Sequence, residues 1–183
     1  LMNKVIEKLV NYNPQNFLHD SLKQFLYKLA KNDAELLKPF NSILAKPHQS
    51  DQILNEISDK YYDLITEIKP RLKMTVTPTI IKGGIKENVI PSECETTFDC
   101  RILPGQSSKK IIRIIKDLLK DLDSENIELE ILQSQEPTIS EVNTELFNTI
   151  VSVLKEFRPK CDVTPLLMTG GTDSRFFRRN GSI

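Results

Sequence analysis

The stretch Glu87–Gln106, ENVIPSECETTFDCRILPGQ, decides how this chain is read. Glu93, Glu95 and Thr97 alternate with Cys94, Thr96 and Phe98. That period predicts a strand over about 88–103 with one wet face and one buried face. Pro104-Gly105 closes it. Arg101 stands near its end, where a guanidinium on a rigid base can present its fork to a carboxylate. A strand arginine is more often simply solvated, and an asparagine at a strand start, such as Asn88, is more often turn chemistry.

Working outward, Lys73–Gly84, KMTVTPTIIKGG, is rich in β-branched residues and predicts the preceding strand. Thr75, Thr77 and Thr79 share one face, with Val76 on the other. Pro78 cannot donate to a ladder, so this strand is expected at an edge or to carry a bulge. After the turn comes SSKKIIRIIKDLLKDL, the clearest amphipathic helix in the chain, with Ser107 or Ser108 as its cap. IELEILQ, 127–133, alternates strictly and predicts a third strand. TELFNTIVSVLKEF predicts a helix ending before Pro159. The tail, DVTPLLMTGGTDSRFFRRNGSI, reads as a short strand, a glycine turn and a helix start.

Residues 1 to about 70 are helical in pattern. Val5, Leu9 and Tyr12 make one stripe, and Phe17, Leu18, Leu22, Phe25, Leu26 and Leu29 another. Asp33 caps a short helix through Leu36 and Leu37 that Pro39 is expected to break. Asp51 opens one long helix through Ile53, Ile57, Tyr61, Leu64 and Ile68, ended by Pro70.

Lys plus Arg equals Asp plus Glu, 25 each, which argues against a dedicated nucleic-acid binder, since that needs a basic face. No apolar run approaches the ~20 residues that span a bilayer. The charged, helix-like start lacks an apolar signal core, and the cytoplasm is the expected compartment. Cys94, Cys100 and Cys161 give neither a disulfide framework nor a CxxC pattern. His19 and His48 have no partner at metal-ligand spacing. No GxSxG, GxGxxG or P-loop occurs. The Gly170-Gly171 pair could bring backbone N–H groups close to an anion, although such a pair is also simply a turn.

Two runs in order, TVTPTIIKGGIKENVIPSECETTFDCRILPGQ and PLLMTGGTDSRFFRRNG, resemble the dizinc amidohydrolases: aminoacylases, carboxypeptidase S, glutamate carboxypeptidases, and acetylornithine or succinyl-diaminopimelate deacylases. NPQNFLHDSLKQFLYKLAK resembles the carboxypeptidase S-like branch more loosely. The resemblance implies an α+β fold: a ferredoxin-like lid with an antiparallel sheet, helices on one face, its first strand missing, and a helical N-terminal section. Residues 1–137 would be the lid and dimerisation domain, including the helical section 1–70, and 138–183 a partial catalytic-domain segment. It implies zinc in the intact enzyme, with no ligands identified in this chain, and a homodimer formed through the lid. The substrate would be an N-acyl amino acid or peptide, cleaved at an amide next to a free carboxylate. Carried over by position, Arg101 would bind that carboxylate and Asn88 would orient the scissile group, the two forming a clamp at one end of the sheet. Gly170, Gly171 and Thr172 would shape the pocket, with Arg175 as a second anion contact. No catalytic residue is assigned, and the chain alone is expected to be inactive. The alternative is a stand-alone, non-catalytic dimerisation module.

Overall fold

The structure, a computed structural model, describes residues 1–122 and 124–181. Asp123, Ser182 and Ile183, the last two within the expected catalytic segment, lie outside the described residues. The fold is α+β, with one antiparallel sheet of two strands among the described residues. The chain divides into two compact units, Leu1–Pro14 with Met74–Pro137, and Gln15–Lys73 with Thr138–Ile183. The helical block Gln15–Lys73 groups with the second unit.

The first unit holds α1 (Met2–Val10), β1 (Thr75–Gly83), β2 (Cys94–Arg101) and α6 (Ser108–Leu119). Val5 and Leu9 of α1 and Leu119 of α6 are buried together. Val76 and Phe98 come from the sheet to meet them, so the alternation does place its apolar side inward. Ser107 caps α6 by accepting from the Lys110 amide at 3.4 Å. Lys8 reaches both carboxylate oxygens of Asp121 at 2.7 Å. The register runs from Thr75↔Arg101 to Gly83↔Cys94, and it shifts between Pro78 and Ile80. The irregularity expected of Pro78 is therefore present, and the Thr79 hydroxyl donates to the Thr97 carbonyl beside it.

The expected third strand is a correction. Residues 127–133 join no ladder, although Ile127 packs against the first unit's core. Alternation fixes which side of a segment is apolar but does not supply a neighbour.

The second unit holds α2 (Asp20–Asn32), α3 (Ala34–Ala45), α4 (Ser50–Glu56), α5 (Tyr62–Ile68), α7 (Glu145–Phe157) and α8 (Ser174–Arg179). Leu22, Leu26, Phe40, Ile43, Leu54 and Ile68 are fully buried in one cluster. Pro39 does not break α3 but lies inside it. The interior proline costs ~3 kcal/mol, while burying Leu36 before it and Phe40 and Ile43 after it returns roughly 1.5–3 kcal/mol each, so the core decides. The long helix expected from Asp51 is instead two, α4 and α5. Between them the Ser58 hydroxyl takes the Asn55 carbonyl at 2.7 Å, a local bond that competes with helix continuation. His19 is the N-cap of α2, its Nδ1 accepting from the Ser21 amide at 3.3 Å, while His48 is exposed in a single turn of 3-10 helix.

Asp33 caps α3 as expected, accepting from the Glu35 amide at 2.9 Å and from the Tyr61 hydroxyl at 2.9 Å. The Tyr61 hydroxyl first, and then the Glu35 amide, hold its carboxyl below the ordinary value. A folded-state value below the unfolded one means that this stabilisation is complete above the unfolded value, about 3.9, and disappears as pH falls through the lower folded value. Denaturant midpoints followed by far-UV circular dichroism should therefore drop on acidification. Asp33→Asn should begin lower at neutral pH and show a shallower acid decline. Parallel declines would show that this carboxylate is not responsible.

Candidate substrate-binding site

Arg101 is the last residue of β2, opposite Thr75. Its Nε donates to Asp99 Oδ2 at 2.8 Å, from a residue two positions back on the same face of the strand. The turn behind it is tightly tied. The Leu103 amide donates to Gln106 Oε1 at 2.8 Å, and the Gln106 amide to the Leu103 carbonyl at 3.0 Å. Gly105 takes φ +87°, a conformation that a side chain would strain. Arg101 thus rises from a fixed base, and its side chain is 59% exposed.

Asn88 lies in the loop Gly84–Glu93, every residue of which is exposed. That loop follows the Gly83↔Cys94 end of the hairpin, whereas Arg101 closes the Thr75 end. Seven residues of strand at roughly 3.3 Å each put the two ends about 23 Å apart. The register thus sets the loop that carries Asn88 and the strand end that carries Arg101 at opposite ends of the hairpin. The sequence spacing concealed this because part of the interval between the residues is loop and the rest is strand.

The other four candidates belong to the second unit. Gly170 has open space where a side chain would stand and no left-handed φ. Gly171 is exposed beside it. Thr172 Oγ1 accepts from the Ser174 amide at 3.0 Å and pairs with the Ser174 hydroxyl, which starts α8. Arg175 lays its guanidinium over the Phe176 ring, 4.6 Å from the centroid. The segment leading to this turn, 161–168, forms no helix and joins no ladder, against the short strand expected there. Helix side chains grip it instead. Lys28 Nζ donates to the Val163 carbonyl, Asn32 Nδ2 to Asp162 Oδ2 at 2.7 Å, and Arg71 Nε to the Leu167 carbonyl at 2.7 Å. Sequence reasoning missed Arg71; its nearest cue, an arginine after Pro70, says nothing of a partner so far along the chain.

Among the described residues no group of three or more His, Cys, Asp or Glu side chains could hold a metal ion, so the residues present do not fit a zinc centre. Nor is any described helix long and apolar enough to cross a membrane.

The peptidase dimerisation domain of the M20 family matches residues 21–126. An uncharacterized metallohydrolase of Methanocaldococcus jannaschii is 26% identical over 145 residues, 72% of this chain and 35% of its own length. The N-fatty-acyl-amino acid synthase/hydrolase PM20D1 of Xenopus tropicalis is 30% identical over 141 residues, 76% of this chain and 26% of its own. A "Probable succinyl-diaminopimelate desuccinylase" of Staphylococcus aureus is 28% identical over 104 residues, 57% of this chain and 26% of its own. The chain thus spans about a third or less of the length of these relatives. No solved structure matches.

Next to Arg101, the Cys100 thiol is pushed up by burial and then by the Asp99 charge, while Cys94 on the same strand is exposed. Thiolate is the reactive form. Peptide mapping after limited alkylation near neutral pH should find Cys94 modified well before Cys100. The reverse order would contradict this packing of β2.

Proposed function

The chain belongs to the family of M20 peptidase dimerisation domains, and from that membership we propose that it is the carboxylate-gripping, dimer-forming part of a hydrolase acting on amide bonds beside a free carboxylate. The supporting observation is the family match, which runs from the helical block through β1, β2 and α6 and includes Arg101. The names of the relatives agree with the substrate class. An N-acyl amino acid and a succinylated diaminopimelate each carry an amide together with a carboxylate. In this reading Arg101 binds the carboxylate as a charge-assisted pair. Gly170, Gly171 and Thr172 shape the pocket, Arg175 is a second anion contact, and Asn88 orients the scissile group. The hydrolysis belongs to the whole enzyme, whose zinc would be held by residues other than those described. Residues 1–137 act as the lid, with the helical block inserted between α1 and β1, and 138–183 begin the returning catalytic segment. Three free thiols suit a reducing compartment such as the cytoplasm.

The separation of Asn88 from Arg101 bears on assembly. One amino-acid-sized substrate cannot touch both ends of a hairpin about 23 Å long. If both residues bind substrate, they serve different molecules, and a two-fold homodimer provides two. The free edges of the two-stranded sheet support the second reading, a non-catalytic dimerisation module.

Titration of the chain with an N-acetyl amino acid and with its carboxamide separates the two readings. The acid should bind more tightly. Arg101→Met should weaken it by roughly 10- to 150-fold, the equivalent of about 1.5–3 kcal/mol, and leave the carboxamide unchanged. Equal binding of acid and amide would remove the carboxylate role and leave the dimerisation module. Sedimentation at micromolar concentration should give a dimer, and a monomer would overturn the assembly proposed in both readings.

A further inference from the structure

Arg71 is a buried charge, 8% exposed, at the edge of an otherwise apolar helical core. Guanidinium stays protonated in proteins, and burying it is expensive unless its donors are met. Here three of its five N–H donors meet acceptors. Nη1 donates to the carbonyl of Glu67 and to its carboxylate Oε2 at 2.8 Å, and Nε donates to the Leu167 carbonyl at 2.7 Å. The Glu67 contacts lie one helical turn back and fix the guanidinium plane. The Leu167 contact reaches across 96 residues of sequence. Leu167 stands three residues before Gly170, on a segment with no ladder partner to hold it. Upstream on that segment, Lys28 and Asn32 grip Val163 and Asp162. Arg71 adds a further grip, three residues before the turn.

We propose that Arg71 is a positioning residue for the Gly170–Thr172 turn, acting through the Leu167 carbonyl while Glu67 holds its guanidinium in place. The role of the turn in substrate binding rests on the reading above; the hold on the turn does not. A lysine can answer Glu67 or Leu167 but cannot fork between them. A methionine fills much of the same space and donates to neither.

Backbone ¹⁵N relaxation of the full chain tests this. In the parent protein Leu166–Thr172 should show order parameters near the rigid value of about 0.85. In Arg71→Met they should fall below about 0.6, with displaced Gly170 and Gly171 amide resonances, while α2 and α3 keep theirs. Arg71→Lys should lie between the two. Unchanged values at 166–172 would overturn the proposal, as would an equal fall throughout α2 and α3, which would mark a merely structural residue. If Arg71→Met does not fold, Arg71→Lys decides: a loosened turn above an intact α2–α3 supports the fork, and parent-like values overturn it. Titration with an N-acetyl amino acid separates the two ideas. A turn that loosens in a protein that does not bind the acid sinks the substrate reading alone. Binding without any response of the turn sinks the positioning role alone.

Discussion

Register is the constraint on which the first unit depends. Side chains on a strand alternate faces, so a slip of one residue between β1 and β2 would turn Val76 or Phe98 away from Val5, Leu9 and Leu119 and toward water. A two-stranded hairpin alone is marginal in water; packing against α1 and α6 gives it a reason to hold one pairing. The same pairing sets the position of Arg101. Its place at the end of the ladder follows from the apolar residues that lock the register, because nothing about the guanidinium, which lies exposed beside Asp99, could choose a register by itself.

The helical block raises a different problem, since it interrupts the passage from α1 to β1. Its two ends are held together. The Phe17 amide donates to the Leu72 carbonyl at 2.6 Å, and Asp51 accepts both from Lys73 at 2.8 Å and from Asn16 at 3.3 Å. Asn16 also donates to the Pro47 carbonyl at 3.2 Å. A block whose entry and exit meet can be set into a connection with little added loop-closure cost, which grows only slowly with length. It can also form its own core around Phe40 and Leu22 without demanding anything of the sheet.

Much of this was legible in advance. The stripes of α1, α2 and α6, the cap at Asp33, the bulge near Pro78 and the α+β class all follow from local rules that read a few neighbouring residues. The misreadings share a cause. Pro39 obeys a core contributed by distant helices, and Ser58 interrupts a pattern whose apolar spacing is otherwise unbroken. The candidate site was legible as residue types and turns, namely an arginine at a strand end and a glycine pair before a helix. Its geometry was not legible, because the distance between Asn88 and Arg101 depends on which residues of the interval pair across the hairpin.

The two segments expected as strands that join no sheet show where sequence reasoning loses its hold. Residues 127–133 and 161–168 carry strand-like patterns, yet their hydrogen-bonding groups find no strand beside them. A period of two specifies faces only; a ladder also needs a neighbour whose N–H groups face the right carbonyls. In the second segment helix side chains take that part, and the Leu167 carbonyl is met by an arginine rather than an amide. A strand neighbour would answer every second carbonyl along its length. Side chains answer chosen ones, Val163 and Leu167, the second through a buried guanidinium three residues before the glycine turn. A substitution there would alter the turn without touching it. A search confined to residues facing the substrate would not find the position, because Arg71 is recognised only by the carbonyl it holds.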